Sequence, residues 1–191
     1  MSMRVLLGSS SPRRRQLLTA AGCAVTIVAP AVDETYPEHG VTPEEGVMLL
    51  AERKYAAVRA REPAHADMQA LVTADTLVFL GHTPLGKPAD AAEAAAMLAQ
   101  LSGKTHLVVT GYVVDSAKGH YRQAVTTLVR MRTLDPETIA AYVATQEPFG
   151  RAGSYSIQDA GGALVDSIYG SYTNVVGLPV AEVLATLAVC V

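Results

Sequence analysis

Val5-Leu6-Leu7-Gly8-Ser9-Ser10-Ser11-Pro12-Arg13-Arg14-Arg15 is the stretch on which the fold turns. Its apolar run reads as a strand ending at Gly8, and Ser11 reads as the N-cap of a helix that has Pro12 in its first position. A strand, loop and helix joined this closely form a corner. Its free backbone amides point at whatever sits above the sheet. Those amides and the positive end of the helix dipole favour an anion, and Arg13 and Arg14 bring fork-shaped donors suited to phosphate oxygens. Arginines at a helix N-terminus oppose the dipole, so three in a row need a compensating anion. Two readings follow: a polyphosphate site, or a well-capped helix whose first turn is basic and solvated.

The 191 residues suit a single domain spanning 1–191 with a sizeable core. No apolar run approaches the ~18 residues of a membrane span, so the sequence predicts a soluble, cytoplasmic protein with no membrane partner. With only Cys23 and Cys190, neither a disulfide framework nor a cysteine-rich zinc site is plausible. The net charge of -3, the absence of Trp and the lack of a long basic run argue against a nucleic-acid partner.

Further along, Ala24 to Val28 reads as a strand, and Ala29 to His39 as a polar loop carrying Val32-Asp33-Glu34. Thr42-Pro43-Glu44-Glu45 opens a helix with a capping box, and the helix runs to about Arg61. Its apolar stripe passes through Val47, Leu50, Ala51 and Val58, and Lys54 lies on that stripe. Such a lysine either snorkels from the core's edge or emerges into a cleft to meet an anion. Leu71 to Leu80 is strand-like at both ends with Asp75 and Thr76 in its middle. A buried, unpaired carboxylate is costly, so Asp75 needs a metal, a cation or a break open to water; a plain bulge or turn is the alternative.

Gly86-Lys87-Pro88 forms a loop, and Asp90 then caps a helix with Glu93 as its box partner and Ala94, Met97, Leu98 and Leu101 on one face. His106 to Val114 and Tyr121 to Met131 are β-rich and flank a hairpin turn at Ser116 to Gly119. Asp135-Pro136 begins a helix with Ile139, Tyr142 and Val143 inward. A glycine-rich region from Gly150 leads to Pro179, which opens a terminal helix burying Val183, Leu184 and Leu187. Helices alternate with strands until the hairpin interrupts them, so the expected fold is α/β, a mixed sheet flanked by helices.

Several motifs fail. Gly103-Lys104-Thr105 resembles the end of a P-loop, but the pattern's first glycine would have to be Leu98, inside a helix. No G-x-S-x-G elbow and no G-x-G-x-x-G after a strand occurs. His39, His65, His82, His106 and His120 lack ligand spacing and read as surface or turn histidines. What survives is a set of oxygen ligands and cations: Glu34, Asp75, Arg13, Arg14, Lys54 and Lys87. Carboxylate oxygens suit Mg or Mn, and the cations suit a triphosphate.

Taken in order, Ser9-Ser10-Ser11-Pro12-Arg13-Arg14, Val32-Asp33-Glu34, Lys54, Ala74-Asp75-Thr76, Gly86-Lys87-Pro88, Leu101-Ser102-Gly103 with His106, Ala152-Gly153-Ser154-Tyr155 with Ile157-Gln158, and Asn174 to Pro179 resemble the Maf family of nucleoside triphosphate pyrophosphatases. The resemblance implies an elongated sheet with two lobes around a cleft, related to inosine triphosphatases and often a homodimer. It implies hydrolysis of a nucleoside triphosphate to monophosphate and pyrophosphate with a divalent metal, and Asp75 as general base. It links Arg13, Thr76 and Gln158 to substrate choice and places Ser9 in the substrate site. Ser154 to Gln158 is similar to the branch acting on dTTP and UTP rather than 7-methyl-GTP. Arg151 stands where the family often has lysine, and Asp159 to Gly162 departs from the usual run.

On this reading Glu34 and Asp75 hold the metal and its water for attack at the α-phosphorus. Lys54, Lys87, Arg13 and Arg14 neutralise the departing pyrophosphate, and Thr76 and Gln158 read the base or sugar. The alternatives are a 7-methyl-GTP-type pyrophosphatase and a nucleotide-binding regulator of cell division that does not hydrolyse.

Overall fold

The computed structural model describes residues 2–37, 40–61 and 68–190, so His39 and His65 lie outside the described residues. The elements are β1 (Arg4–Gly8), α1 (Pro12–Ala20), β2 (Ala24–Ile27), α2 (Pro43–Arg61), β3 (Ala70–Leu80), β4 (Thr83–Leu85), α3 (Ala91–Leu101), β5 (Thr105–Ser116), β6 (Gly119–Met131), α4 (Pro136–Ala144), β7 (Val165–Tyr169), α5 (Tyr172–Val176) and α6 (Val180–Cys190). Short 3₁₀ turns occupy Ala152–Ser154 and Ala160–Leu164. The strands form one sheet in the order β2-β1-β3-β5-β6-β7, with β4 alongside β3. β1 is parallel to β2 and β3, whereas β3–β4 and β6–β7 are antiparallel. This is the mixed α/β sheet that the alternation of elements predicts. No helix among the described residues is long and apolar enough to cross a membrane.

The chain divides into two compact units, the first built from 1–75, 110–125 and 177–191. In it, β1 is buried on both faces, which is why Val5-Leu6-Leu7 reads as an unbroken apolar run. Val5 and Leu7 join Val72 and Ala74 of β3, Tyr112 and Val114 of β5, and Val183 and Leu187 of α6. Leu6 faces the other way, onto Leu71 and Val58 of α2. Each such aliphatic side chain contributes on the order of 1.5–3 kcal/mol when fully buried. The capping box of α2 forms as expected: the Thr42 N–H donates to Glu45 Oε2 at 2.8 Å and the Glu45 N–H to Thr42 Oγ1 at 3.2 Å.

Gly111 of β5 sits where a Cβ would come within 2.6 Å of the Val47 backbone, so only glycine lets α2 lie this close to the strand. Thr73 Oγ1 also donates to the Ala51 carbonyl at 2.9 Å. These contacts set the height of α2 over β3.

The second unit comprises 76–109 and 126–176. Its core joins Leu98 and Leu101 of α3, Val129 and Met131 of β6, and Ile139, Tyr142 and Val143 of α4. Asp90 and Asp135 cap α3 and α4, accepting from the Glu93 and Thr138 N–H groups at 2.8 and 2.7 Å. β4, β7 and α5 carry no clear sequence signal. Val165-Asp166-Ser167-Ile168-Tyr169 is half polar and mostly exposed, and becomes a strand by pairing Tyr169 with Leu128 and Ile168 with Val129.

Candidate active site

β1 stops at Gly8 and the chain curls around the buried Ser9. Ser9 Oγ accepts from the Ser11 N–H at 3.1 Å, and Ser11 caps α1 by accepting from the Arg14 N–H at 3.4 Å, in extended geometry with Pro12 at the helix start. The three arginines then diverge. Arg14 turns back into the protein, donating from Nε to the Gly177 carbonyl at 2.8 Å and from Nη1 to Ser9 Oγ at 3.4 Å. Burial pushes its pKa down, while the charges of Asp75 and Glu34 pull it up, so both carboxylates lie within electrostatic reach. Arg13 is half-buried, and its Nη1 is buried without a hydrogen-bond partner among the described residues. Arg15 is exposed.

α2 supplies the centre of the site. Lys54 follows Leu50 and Ala51 on the inward face and is itself buried. Its Nζ lies 2.5 Å from Asp75 Oδ1 and 2.9 Å from Glu34 Oε1. The lysine therefore meets an anion, but the anions are the protein's own. Asp75 sits inside β3, which runs continuously from Ala70 to Leu80, and the ammonium of Lys54 is the cation its burial demands. Glu34 is different: its side chain is 46% exposed, so this end of the cluster opens to solvent.

Two carboxylates thus converge on one positive charge, one buried and one wet. Hard oxygens arranged this way suit Mg or Mn, ions that take one or two carboxylates and complete their shell with phosphates and water. No group of three His, Cys, Asp or Glu side chains is gathered for a metal among the described residues. The pair offers a hard cation two carboxylate oxygens, with Glu34 on the solvent side.

Ser9, Arg14, Glu34, Lys54 and Asp75 all belong to the first unit. Thr76, Lys87 and Gln158 belong to the second. There Thr76 is half-buried in β3, Lys87 is exposed in the 86–88 loop and Gln158 is exposed after the 152–154 turn.

The segment around Gln158 is held by residues that sequence reasoning did not single out. Tyr142 donates its hydroxyl to Glu147 Oε1 at 2.7 Å and accepts from the Ser156 N–H at 3.2 Å. Glu147 in turn accepts from the Ala160 and Gly161 N–H groups at 3.0 and 2.9 Å. Burial, then the bond to Glu147, raises the Tyr142 pKa. An inward tyrosine is the available signal, because a buried phenol needs a partner. His106 corrects the expectation of a surface or turn histidine: it is 1% exposed, its Nε2 pairs with the Tyr155 hydroxyl at 2.8 Å, and burial holds its pKa down to about 4. His82 does lie at an exposed turn, and the exposed His120 lies between Glu52 and Asp115.

Against this geometry, a family model described as "Maf-like protein" matches residues 4–190. The dTTP/UTP pyrophosphatase of Syntrophotalea carbinolica is 45% identical over 186 residues, covering 96% of this chain and 83% of the relative. That of Pelotomaculum thermopropionicum is 46% identical, covering 93% and 92%, and that of Shewanella oneidensis 44%, covering 94% of each. With the match running over nearly all of its length, this chain belongs to the Maf family.

Proposed function

We propose that the chain hydrolyses dTTP and UTP to the nucleoside monophosphate and pyrophosphate. The observation that carries this reading is the meeting of Asp75 and Glu34 on Lys54, in the same unit as the basic N-terminus of α1. The dTTP/UTP pyrophosphatases to which the chain is similar supply the substrate class.

The residues divide the work as follows. Asp75 accepts the proton of the water that attacks the α-phosphorus, because its carboxylate is fixed in a strand and oriented by a hydrogen bond. Lys54 orients that carboxylate through the 2.5 Å contact and supplies positive charge where the phosphate tail arrives. Ser9 shapes the loop, and Arg13 offers the tail its Nη1, which has no hydrogen-bond partner among the described residues. Arg14, Lys87 and the α1 N-terminus add positive charge as pyrophosphate departs. Glu34 and Asp75 would hold Mg or Mn, which when bound supplies Lewis-acid charge to phosphate oxygens and lowers the pKa of water below 15.7. Thr76 and Gln158 hydrogen-bond the base or sugar, so that a wrong base leaves them unpaired.

The test is product identity. With dTTP or UTP and Mg or Mn, the expected products are the monophosphate and pyrophosphate, and Asp75→Asn is expected to slow their release at least ~100-fold with folding intact. Products of diphosphate and orthophosphate, or an Asp75→Asn variant at near wild-type rate, would refute the reading.

A further inference from the structure

The second unit holds Gln158 through a device that the proposed chemistry does not use. α4 ends at Ala144, Gln146 takes a left-handed φ of 65°, and the chain folds back so that Glu147 faces the Tyr142 hydroxyl five positions earlier. Thr145 steadies this return, its Oγ1 donating to the Tyr142 carbonyl at 2.6 Å and accepting from the Glu147 N–H at 3.2 Å. The phenol and carboxylate together grip both ends of one segment. Tyr142 takes the Ser156 N–H, and Glu147 takes the Ala160 and Gly161 N–H groups that open the 3₁₀ turn. Asp159, at the capping position of that turn, makes no capping bond with its own side chain, so Glu147 caps it from a distance. A Cβ on Gly161 would lie 2.4 Å from the Tyr142 hydroxyl, so the segment is seated against the phenol with no slack. Between the gripped ends, Gln158 and Asp159 are exposed and Ile157 half-buried.

We propose that Tyr142 and Glu147 are positioning residues for substrate specificity: they clamp Ser156–Gly161 so that Gln158 meets the nucleotide in one fixed orientation. The proposal rests on the reading of Gln158 as a base- or sugar-contacting residue. A selectivity contact needs placement within about half an ångström, which an exposed loop residue has only if its backbone is pinned on both sides.

Two measurements separate the clamp from that reading. Hydrogen exchange at the Ala160 and Gly161 amides reports the clamp with no nucleotide present. In Glu147→Gln, protection at both is expected to fall by roughly tenfold or more, as a local opening. The ratio of kcat/KM for UTP over CTP reports the consequence. It is expected to move about fivefold or more in Gln158→Ala and in Glu147→Gln, and the double variant is expected to move no further than Gln158→Ala alone, as coupled residues do. Tyr142→Phe should follow Glu147→Gln in both measurements. Asp135→Ala, which unpins the far end of α4 and touches nothing in 156–161, should lower the Tm and leave the ratio unchanged; a shift there would mean that general destabilisation suffices, and would overturn the proposal. A ratio that moves in Gln158→Ala but stays within twofold in Glu147→Gln overturns the clamp and leaves the reading of Gln158 standing. A ratio that moves in Glu147→Gln but not in Gln158→Ala removes Gln158 from the specificity role and overturns the proposal with it. Unchanged exchange protection in Glu147→Gln overturns the clamp whatever the nucleotide chemistry turns out to be.

Discussion

Lys54 and Asp75 meet as a buried ion pair, Nζ 2.5 Å from Oδ1, although 21 positions separate them in the chain. The helix brings the ammonium down from its inward face, and the strand carries the carboxylate without a break. Glu34, from the loop before α2, reaches the same ammonium from the solvent side. Neither buried group is tolerable without the other, since a lone charge in this position pays the desolvation penalty unopposed.

Removing one partner therefore tests the pair. Lys54→Met leaves Asp75 buried without its cation and is expected to cost about 3–5 kcal/mol of unfolding free energy. Adding Asp75→Leu should restore part of that stability while activity stays lost. Urea unfolding of both variants checks this, and a double variant no more stable than Lys54→Met would show that the pair is not the cause.

Arg13 and Arg14 are expected to respond in opposite ways. Arg14 ties the Ser9 loop to the Gly177 carbonyl, so Arg14→Met should lose on the order of 1–3 kcal/mol of stability. Arg13 Nη1 makes no hydrogen bond among the described residues, so Arg13→Met should lose less stability than Arg14→Met, yet raise the KM for dTTP about tenfold or more. Equal stability losses in the two variants would contradict the division of roles.

Backbone packing places Lys54 as surely as its ion pair does. Gly111→Ala would drive a methyl to within 2.6 Å of the Val47 carbonyl group, against helix backbone that cannot rotate away. The expected cost is at least ~1–3 kcal/mol, with a loss of kcat from the displaced Lys54. Gly86→Ala, where a Cβ meets nothing within 4 Å, should leave the Tm nearly unchanged. Thermal unfolding of the pair reads the contrast.

Acid should destabilise the protein through His106. Its folded pKa is held down to about 4 by burial, against 6.5 for the free side chain, so the unfolded chain takes up a proton first. Above about 6.5 the ring is neutral in both states and nothing is lost. As pH falls from there through about 4, the contribution to destabilisation grows to about 3 kcal/mol and then levels off. His106→Gln should flatten this part of the pH profile, and a slope unchanged between pH 6.5 and 4 would remove His106 as its source.

Local devices were legible in the chain itself. Ser11 with Pro12, Thr42 with Glu45, Asp90 with Glu93 and Asp135 with Pro136 mark four helix starts because a cap and its partner lie within one turn. The inward stripe of α2, with Lys54 on it, follows from helical spacing alone. β7 escaped because its residues are half polar and acquire their strand character from the pairing with β6. His106 escaped because nothing in its neighbourhood shows that Tyr155, 49 positions later, will close over it.

The order of residues alone thus determined the caps, the alternation of helix and strand, and the supply of carboxylates and cations for a phosphate site. Which carboxylate meets which cation was left to the tertiary structure. It turned Arg14 inward to a carbonyl 163 positions away and joined Lys54 to Asp75 through a strand that never breaks. The reason is that capping and periodicity act over one or two helical turns, whereas the partner of a buried charge is chosen by whichever distant element the core brings within about 3 Å of it.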